Sequence, residues 1–160
     1  MNWYAYVGGN PVVGVDPRGW WGSEWHGETT ESAALAAGFD AEAASAIAQA
    51  ARDIDNVWTL MSLPHFDIRI PLIGTVQSKR DFAMMNEALA RSYYQEGNYN
   101  AAWTALGQAL HAIQDDYAHG SIWPWEHRGW MDDPEDPRRA AEASAAFWET
   151  LGVLGDWPCP

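Results

Sequence analysis

The sequence predicts an all-α protein: a single bundle of about five helices with a metal site at one end, preceded by a short extended segment. Three observations lead to this fold class. Alanine is abundant and β-branched residues are sparse after residue 77, which favours helices. Apolar residues recur at three- and four-residue spacing, and Gly, Pro and Asx residues separate these stretches. With 160 residues, 48% of them apolar, the chain is long enough to bury a core.

The first twenty residues form the predicted extended segment. They are rich in β-branched and aromatic residues and carry turn signals at 8–11 and at 16–19. This pattern predicts a strand, a turn, a short strand and another turn. Such a segment is too short to fold by itself.

The helices are predicted from capping and stop signals. Thr29 or Thr30 caps the first helix, Asp40 the second and Ser78 the third. A glycine follows the first and third helices as a stop signal, and Asp136-Pro137 opens the last one. The predicted helices span about 29–37, 41–60, 79–95, 100–118 and 137–151, and residues 62–77 form a loop or a short extended piece.

Charge and cysteine content exclude several classes of function. The formal net charge is −13, so the basic surface that duplex nucleic acid requires is missing. That count leaves out bound metal, and clustered carboxylates suit a metalloenzyme at least as well as a merely soluble surface. The single cysteine, Cys159, leaves no disulfide partner and no cysteine-based zinc site. We find neither an apolar stretch long enough to span a bilayer nor a classical signal peptide.

Histidines and acids in the fourth predicted helix indicate a metal site. His111, Asp115 and His119 are each four residues apart, which places them on one stripe of the helix. Imidazole and carboxylate without thiolate favour zinc, although iron or manganese accepts such ligands too. The alternative is one buried histidine, one solvated aspartate and one histidine near the negative end of the helix dipole. A bundle can bring further ligands to this stripe from distant segments.

The extended segment resembles the end of the Rhs/YD-repeat core. The resemblance rests on Tyr4-Ala5-Tyr6-Val7-Gly8-Gly9-Asn10-Pro11 and Val15-Asp16-Pro17-Arg18-Gly19. In that family the motif closes a large β-shell, which commonly cleaves itself and is followed by a variable toxin domain. The resemblance implies a cut after Trp20, which would make Trp21 the new N-terminus of a helical toxin domain that spans residues 21–160. The alternative is that residues 1–20 are an uncut remnant.

The same resemblance implies partners and a location. It predicts association with the Rhs shell, with a cognate immunity protein and with secretion machinery. A specialised secretion system would deliver the domain into a target cell.

The helical domain resembles the superfamily of zinc-dependent phospholipase C and single-strand-specific nucleases. Four pieces carry this second likeness: Trp21-Gly22-Ser23-Glu24-Trp25-His26, Asp55 followed by His65-Phe66, the helical stretch from Tyr94 to Leu106, and His111-x-x-x-Asp115. The resemblance implies that the free amine of Trp21 and the His26 ring bind metal, and that Asp115 bridges two metals. Cleavage after Trp20 would then activate the enzyme, because an amide nitrogen cannot act as an amine ligand.

The resemblance implies two or three zinc ions. Asp55, His65, His111 and Asp115 form one site, Trp21, His26 and Asp115 a second, and His119 with His127 a weaker third. The third site departs from the family pattern, because His119 follows Asp115 by four residues where the family usually has six. The acid expected one turn after His127 is replaced by Met131.

The expected activity is zinc-dependent hydrolysis of phosphodiesters, with Asp55 and Asp115 as catalytic residues. Phe66, Trp123 and Trp125 are candidates for contacting substrate, although aromatic residues of this kind also build cores. Phospholipid head groups are the preferred substrate, because the chain is acidic and rich in tryptophan near the site. Single-stranded nucleic acid is the alternative, since it can be bound by stacking. A toxin that perturbs membranes and holds a structural zinc is an alternative of another class.

Overall fold

The computed structural model describes residues 23–54, 68–70, 74–119 and 137–157, and its helices confirm the all-α fold class. The described residues form helices α1 (Ser23–Ala37), α2 (Ala41–Asp53), α3 (Lys79–Gln95), α4 (Tyr99–His119) and α5 (Pro137–Gly155). Two short strands, β1 (Ile68–Ile70) and β2 (Gly74–Gln77), pair antiparallel within the piece predicted as loop or extended. The predicted extended segment 1–20 lies outside the described residues.

Several helix ends follow the sequence signals closely. Asp40 accepts a hydrogen bond from the backbone N–H of Ala43 and caps α2. Ser78 and Asp81 form a reciprocal capping box at the start of α3, and the hydrogen bonds from Ser78 lower the pKa of the Asp81 carboxyl. Gly38 directly after α1, and Gly97 after the Glu96 C-cap of α3, adopt positive φ angles of 100° and 75°. The capping predictions at these positions are confirmed.

Other predicted helix ends are wrong. The first helix begins at Ser23 rather than at Thr29 or Thr30, so Thr30 is a buried interior residue and not a cap. The second ends at Asp53 rather than near residue 60, with Ile54 as its C-cap. The last continues beyond 151 to Gly155, because Leu154 and Trp157 bury their side chains and hold the final turn against the core.

Helix α4 lies at the centre of the bundle and packs against each of the other four helices. Its buried face alternates alanine with larger residues, and α2 also presents mostly alanine to the core. Small side chains let helix axes approach closely. At Gly107 a Cβ atom would overlap the backbone of Ile47 and Ala51 in α2, so only glycine permits this crossing. One turn before Gly107 in α4, the ring of Trp103 contacts the rings of neighbouring aromatic residues, namely Phe39, Tyr94, Tyr99 and Trp157.

A polar network joins α3, α4 and α5 on the opposite side of α4. The Arg80 guanidinium bonds to Glu149 and, at 2.7 Å, to Asp116, and Tyr117 also donates to Glu149. The hydrogen bond to Glu149 is the main reason that the pKa values of Arg80 and Tyr117 are raised. Burial alone would raise the pKa of Glu149, but the hydrogen bonds from Arg80 and Tyr117 outweigh it and lower that pKa. No helix within the described ranges has the length and apolarity to cross a bilayer.

Replacing Gly107 by alanine is expected to destabilise the protein by about 1–3 kcal/mol, because α4 must move away from α2 to make room for a Cβ atom. Gly152→Ala in α5 is the matched control. A Cβ atom there would meet open space, so the gain in helix propensity should stabilise the protein by about 1 kcal/mol. Urea unfolding of both variants measures this. Equal effects of the two substitutions would contradict the close crossing at Gly107.

Glu149→Gln is expected to lower the free energy of unfolding at neutral pH by less than about 1 kcal/mol, since the network is partly exposed. The folded-state pKa of Glu149 lies below its ordinary value of 4.5. The wild-type advantage is therefore fully present above pH 4.5 and disappears as the pH falls through the lower folded-state pKa. Urea unfolding between pH 2.5 and pH 7 measures the two curves. Glu28→Gln, at an exposed residue outside the network, serves as the control. A difference in the free energy of unfolding between the wild type and Glu149→Gln that stays constant down to the lowest pH would contradict the proposed role of the network.

Candidate metal centre

Three buried side chains from two helices converge in the interior of the bundle. His26 comes from the first turns of α1, and His111 and Asp115 lie one turn apart in α4. His26 and His111 are fully buried, and Asp115 is 1% exposed. One ligand atom from each residue lies within 4.8 Å of the other two. Two imidazoles and one carboxylate at this spacing are a group that can hold a metal ion.

The Asp115 carboxylate divides its two oxygens between the two histidines. Its Oδ1 lies 3.2 Å from Nε2 of His26, and its Oδ2 lies 3.4 Å from Nε2 of His111. Two ligand atoms of a tetrahedral zinc ion are roughly 3.3 Å apart, given Zn–N and Zn–O bonds of about 2.0–2.1 Å. Each nitrogen–oxygen pair therefore has the spacing of two ligands on one ion. Each imidazole also has its own carboxylate oxygen, as a bridging carboxylate requires.

The Nδ1 atoms of both histidines are held by acceptors on the far side of the rings. Nδ1 of His111 lies 2.9 Å from the backbone carbonyl of Ala51 in α2. Nδ1 of His26 lies 2.7 Å from Oε1 of Gln114. The backbone carbonyl of Ala51 only accepts, so Nδ1 of His111 carries hydrogen, and the neutral His111 ring presents the lone pair of Nε2 towards Asp115. Metal-binding histidines are oriented in the same way, with the second ring nitrogen donating to an acceptor.

The electrostatics of this cluster favour a cation at its centre. The two imidazole rings lie with their centroids 4.0 Å apart, so two imidazolium charges would repel each other strongly. Two neutral rings instead direct two lone pairs at a carboxylate that is buried away from water. A buried carboxylate requires a partner of opposite charge. That partner is either one protonated imidazole or a divalent ion held by the Nε2 atoms and the carboxylate oxygens.

The backbone around the centre explains how the histidines are held. Gly107 lies one turn before His111 and brings α4 against the last turn of α2. Ala51 carries one of the last four carbonyls of α2, which helix geometry leaves available for outside partners. The close crossing therefore places a carbonyl from the negative end of α2 at Nδ1 of His111.

The structure brings together three of the eight predicted metal ligands: His26, His111 and Asp115. Trp21, Asp55, His65 and His127 lie outside the described residues, as do the predicted substrate contacts Phe66, Trp123 and Trp125. His119 ends α4, and its side chain is outside the described set. His26 lies within α1, whereas the predicted first helix, capped by Thr29 or Thr30, begins after this residue. The location of the metal site at one end of the bundle stays a prediction.

Several polar residues around the centre were not predicted from the sequence. Gln114 donates through Nε2 to the hydroxyls of Thr30, at 3.0 Å, and Thr150, at 3.2 Å. The signal for Gln114 is an amide within an otherwise apolar helical stretch, directly before Asp115. Lys79, at the start of α3, is fully buried, and its Nζ lies 3.9 Å from Asp116. Its position between a cap and an arginine gives no signal for that burial.

Comparison of the chain with protein-family models, with curated proteins and with solved structures finds no significant match. The site is therefore the basis on which a function can be argued.

The protein is expected to bind a divalent ion at this centre, and Asp115→Asn should weaken Zn²⁺ affinity by more than about 100-fold. Even the loss of a group behind a ligand weakens metal sites by about 10–100-fold, and Asp115 contacts both histidines. In the wild type, free Zn²⁺ at about 100 times its dissociation constant should raise the free energy of unfolding by about 2.7 kcal/mol. Isothermal titration and thermal unfolding measure the two effects.

Asp156→Asn is the matched control for this substitution, because Asp156 is exposed just after α5. It should leave zinc affinity unchanged. Equal affinities of the wild type and the Asp115→Asn variant would show that the ion binds elsewhere.

Proposed function

We propose that this protein is a zinc-dependent phosphodiester hydrolase that acts as an effector toxin, with phospholipid head groups as its substrate. The observation that carries the proposal is the placement of Asp115, which presents one oxygen to His26 and the other to His111. The resemblance to zinc-dependent phospholipases and nucleases predicts that Asp115 lies between His26 and His111, and it further implies two ions that share Asp115. His26 and Asp115 are 89 positions apart in the sequence (115 minus 26), so their meeting is an independent argument for the resemblance.

The donor atoms favour zinc. Imidazole nitrogen and carboxylate oxygen are ordinary zinc ligands, and no thiolate is required. Both histidines are fixed with Nε2 towards the site by acceptors behind the rings. Preorientation of this kind removes the rotational freedom that the side chains would otherwise lose on binding the ion.

Phosphodiester hydrolysis is the chemistry that such a centre supports best. Bound zinc lowers the pKa of water to about 7 and neutralises charge on phosphoryl oxygens. The residues of this chain would contribute orientation: His26 and His111 keep their Nε2 atoms directed inward, and Asp115 fixes the distance between the two halves of the site. The proposed catalytic role of Asp55 rests on the family resemblance alone.

Charge supports lipid over nucleic acid as the substrate. The net charge of −13 opposes the approach of a polyanion, since nucleic-acid affinity depends largely on neutralised phosphates. A head group in a lipid surface carries one phosphodiester and can be zwitterionic. The likeness of residues 1–20 to the Rhs core supports an effector delivered by secretion machinery and paired with an immunity protein.

The complete burial of the three ligands favours a second candidate, a structural zinc in a toxin that perturbs membranes. A structural ion is enclosed by its ligands, whereas a catalytic ion keeps one position open to substrate. Chelation separates the two candidates. Loss of activity with helicity retained indicates a catalytic ion, and loss of helicity indicates a structural one.

The full chain loaded with Zn²⁺ is expected to release diacylglycerol from phosphatidylcholine vesicles, and EDTA should abolish the release while circular dichroism at 222 nm stays unchanged. Asp115→Asn and His111→Ala should each lower the rate by at least about 100-fold, because each removes a group that holds the ion. A chromatographic assay of diacylglycerol measures the rate.

Asp156→Asn should retain the wild-type rate and serves as the matched control. Single-stranded DNA is the parallel substrate. Degradation of DNA without lipid hydrolysis would overturn the choice of substrate and support the nuclease alternative. Hydrolysis of neither substrate by the zinc-loaded, folded chain would overturn the proposed activity.

A further inference from the structure

The Gln114 side chain occupies the junction of three helices behind the candidate metal centre. It is fully buried in α4, between Thr30 of α1 and Thr150 of α5. Its Oε1 lies 2.7 Å from Nδ1 of His26. The amide thus has three polar neighbours, and its orientation decides which of its atoms faces His26.

Only one orientation of this amide satisfies all of its hydrogens. With Nε2 towards the threonines, its two hydrogens meet two hydroxyl oxygens, at 3.0 Å and 3.2 Å. With the amide turned over, both hydrogens would lie on the side of His26, where Nδ1 can accept only one of them. One amide hydrogen would then be buried without an acceptor, which is unfavourable by about 1–3 kcal/mol. The two threonine hydroxyls therefore set the direction of the Gln114 carbonyl.

We propose that Gln114 is a positioning residue that fixes His26 as the tautomer with hydrogen on Nδ1. The consequence of this tautomer for metal binding rests on the proposed function of the site. In this tautomer the lone pair of Nε2 faces Oδ1 of Asp115 at 3.2 Å, where an ion can bind both atoms. In the other tautomer Nε2 carries the hydrogen and can donate it to Asp115. A direct hydrogen bond would then occupy the position that the ion requires.

The two histidines differ in how firmly their tautomers are set. His111 faces the backbone carbonyl of Ala51, which can only accept. His26 faces an amide, which accepts or donates according to its orientation. The His26 tautomer therefore depends on Gln114, and through it on Thr150, whereas the His111 tautomer does not. This difference makes His111 an internal reference for an experiment.

The test combines Gln114→Met with a measurement of both tautomers in the metal-free protein. Methionine has a side chain of similar length and lacks the carbonyl oxygen that accepts from Nδ1 of His26. Long-range ¹⁵N–¹H correlation spectra identify the protonated nitrogen of each imidazole. Wild-type His26 should carry hydrogen on Nδ1, and the variant should shift it to Nε2, while His111 keeps it on Nδ1 in both. Titration with Co²⁺, followed by its visible absorption, should show affinity lowered by about 10–100-fold in the variant.

Further variants control for packing. Gln108→Met changes an amide of the same helix outside the site and should alter neither tautomers nor affinity. Gln114→Glu keeps an acceptor for Nδ1 of His26 and accepts from the threonine hydroxyls. It should therefore keep the His26 tautomer and the Co²⁺ affinity of the wild type. Thr150→Val removes one hydroxyl and should raise the fraction of His26 that carries hydrogen on Nε2. This variant replaces Gln114→Met in the test if Gln114→Met does not fold.

A wild-type His26 with hydrogen on Nε2, or an unchanged tautomer in both the Gln114→Met and Thr150→Val variants, would overturn the inference. Wild-type protein that binds no Co²⁺ yet shows the expected tautomers would overturn the metal site and the proposed function while leaving the tautomer assignment in place. The two failures are therefore distinguishable.

Discussion

The burial of one carboxylate between two imidazoles is the constraint to which the rest of this bundle is fitted. Asp115 is 1% exposed, and a charge removed from water is tolerated only with compensating partners. The rings of His26 and His111 direct their Nε2 atoms at its two oxygens, and a cation held between them would supply the compensating charge. The crossing at Gly107 and the amide of Gln114 fix one ring each. Features that resemble ordinary packing thus have a second role in the electrostatics of the centre.

The elements that could be predicted from the sequence are those governed by neighbouring residues. The capping box at Ser78 and the positive φ of Gly97 are local, so the bounds of α3 follow from a few consecutive letters. The start of α1 could not be predicted in this way, because Thr30 has the composition of a cap while its hydroxyl accepts from Gln114 on another helix. The end of α5 escaped for a similar reason: burial of Leu154 and Trp157 outweighs the helix-stopping tendency of Gly152.

The residues of the candidate site likewise differ in whether neighbouring residues in the sequence predict them. His111 and Asp115 could be found from their spacing on one helix, and His26 only through a family resemblance. The groups that orient the two histidines carry no sequence signature of their own, since one is a backbone carbonyl and another is a glutamine among apolar residues. Gly107 could be read as a flexible position, but its function is steric, because it permits two helices to touch. Contacts that orient the histidines from behind depend on tertiary packing, so they become visible only in the three-dimensional structure.

The bond between His26 and Gln114 has a consequence for the order in which the centre can form. The two residues are separated by 88 positions, and the hydroxyl of Thr150 follows Gln114 by another 36. At a synthesis rate of about 5–20 residues per second, His26 is synthesised roughly 4–18 seconds before Gln114. During that interval the nascent chain contains His26 without the amide that faces its ring. The complete set of side chains around the candidate metal centre therefore exists only late in synthesis, once the residues of α5 have been added.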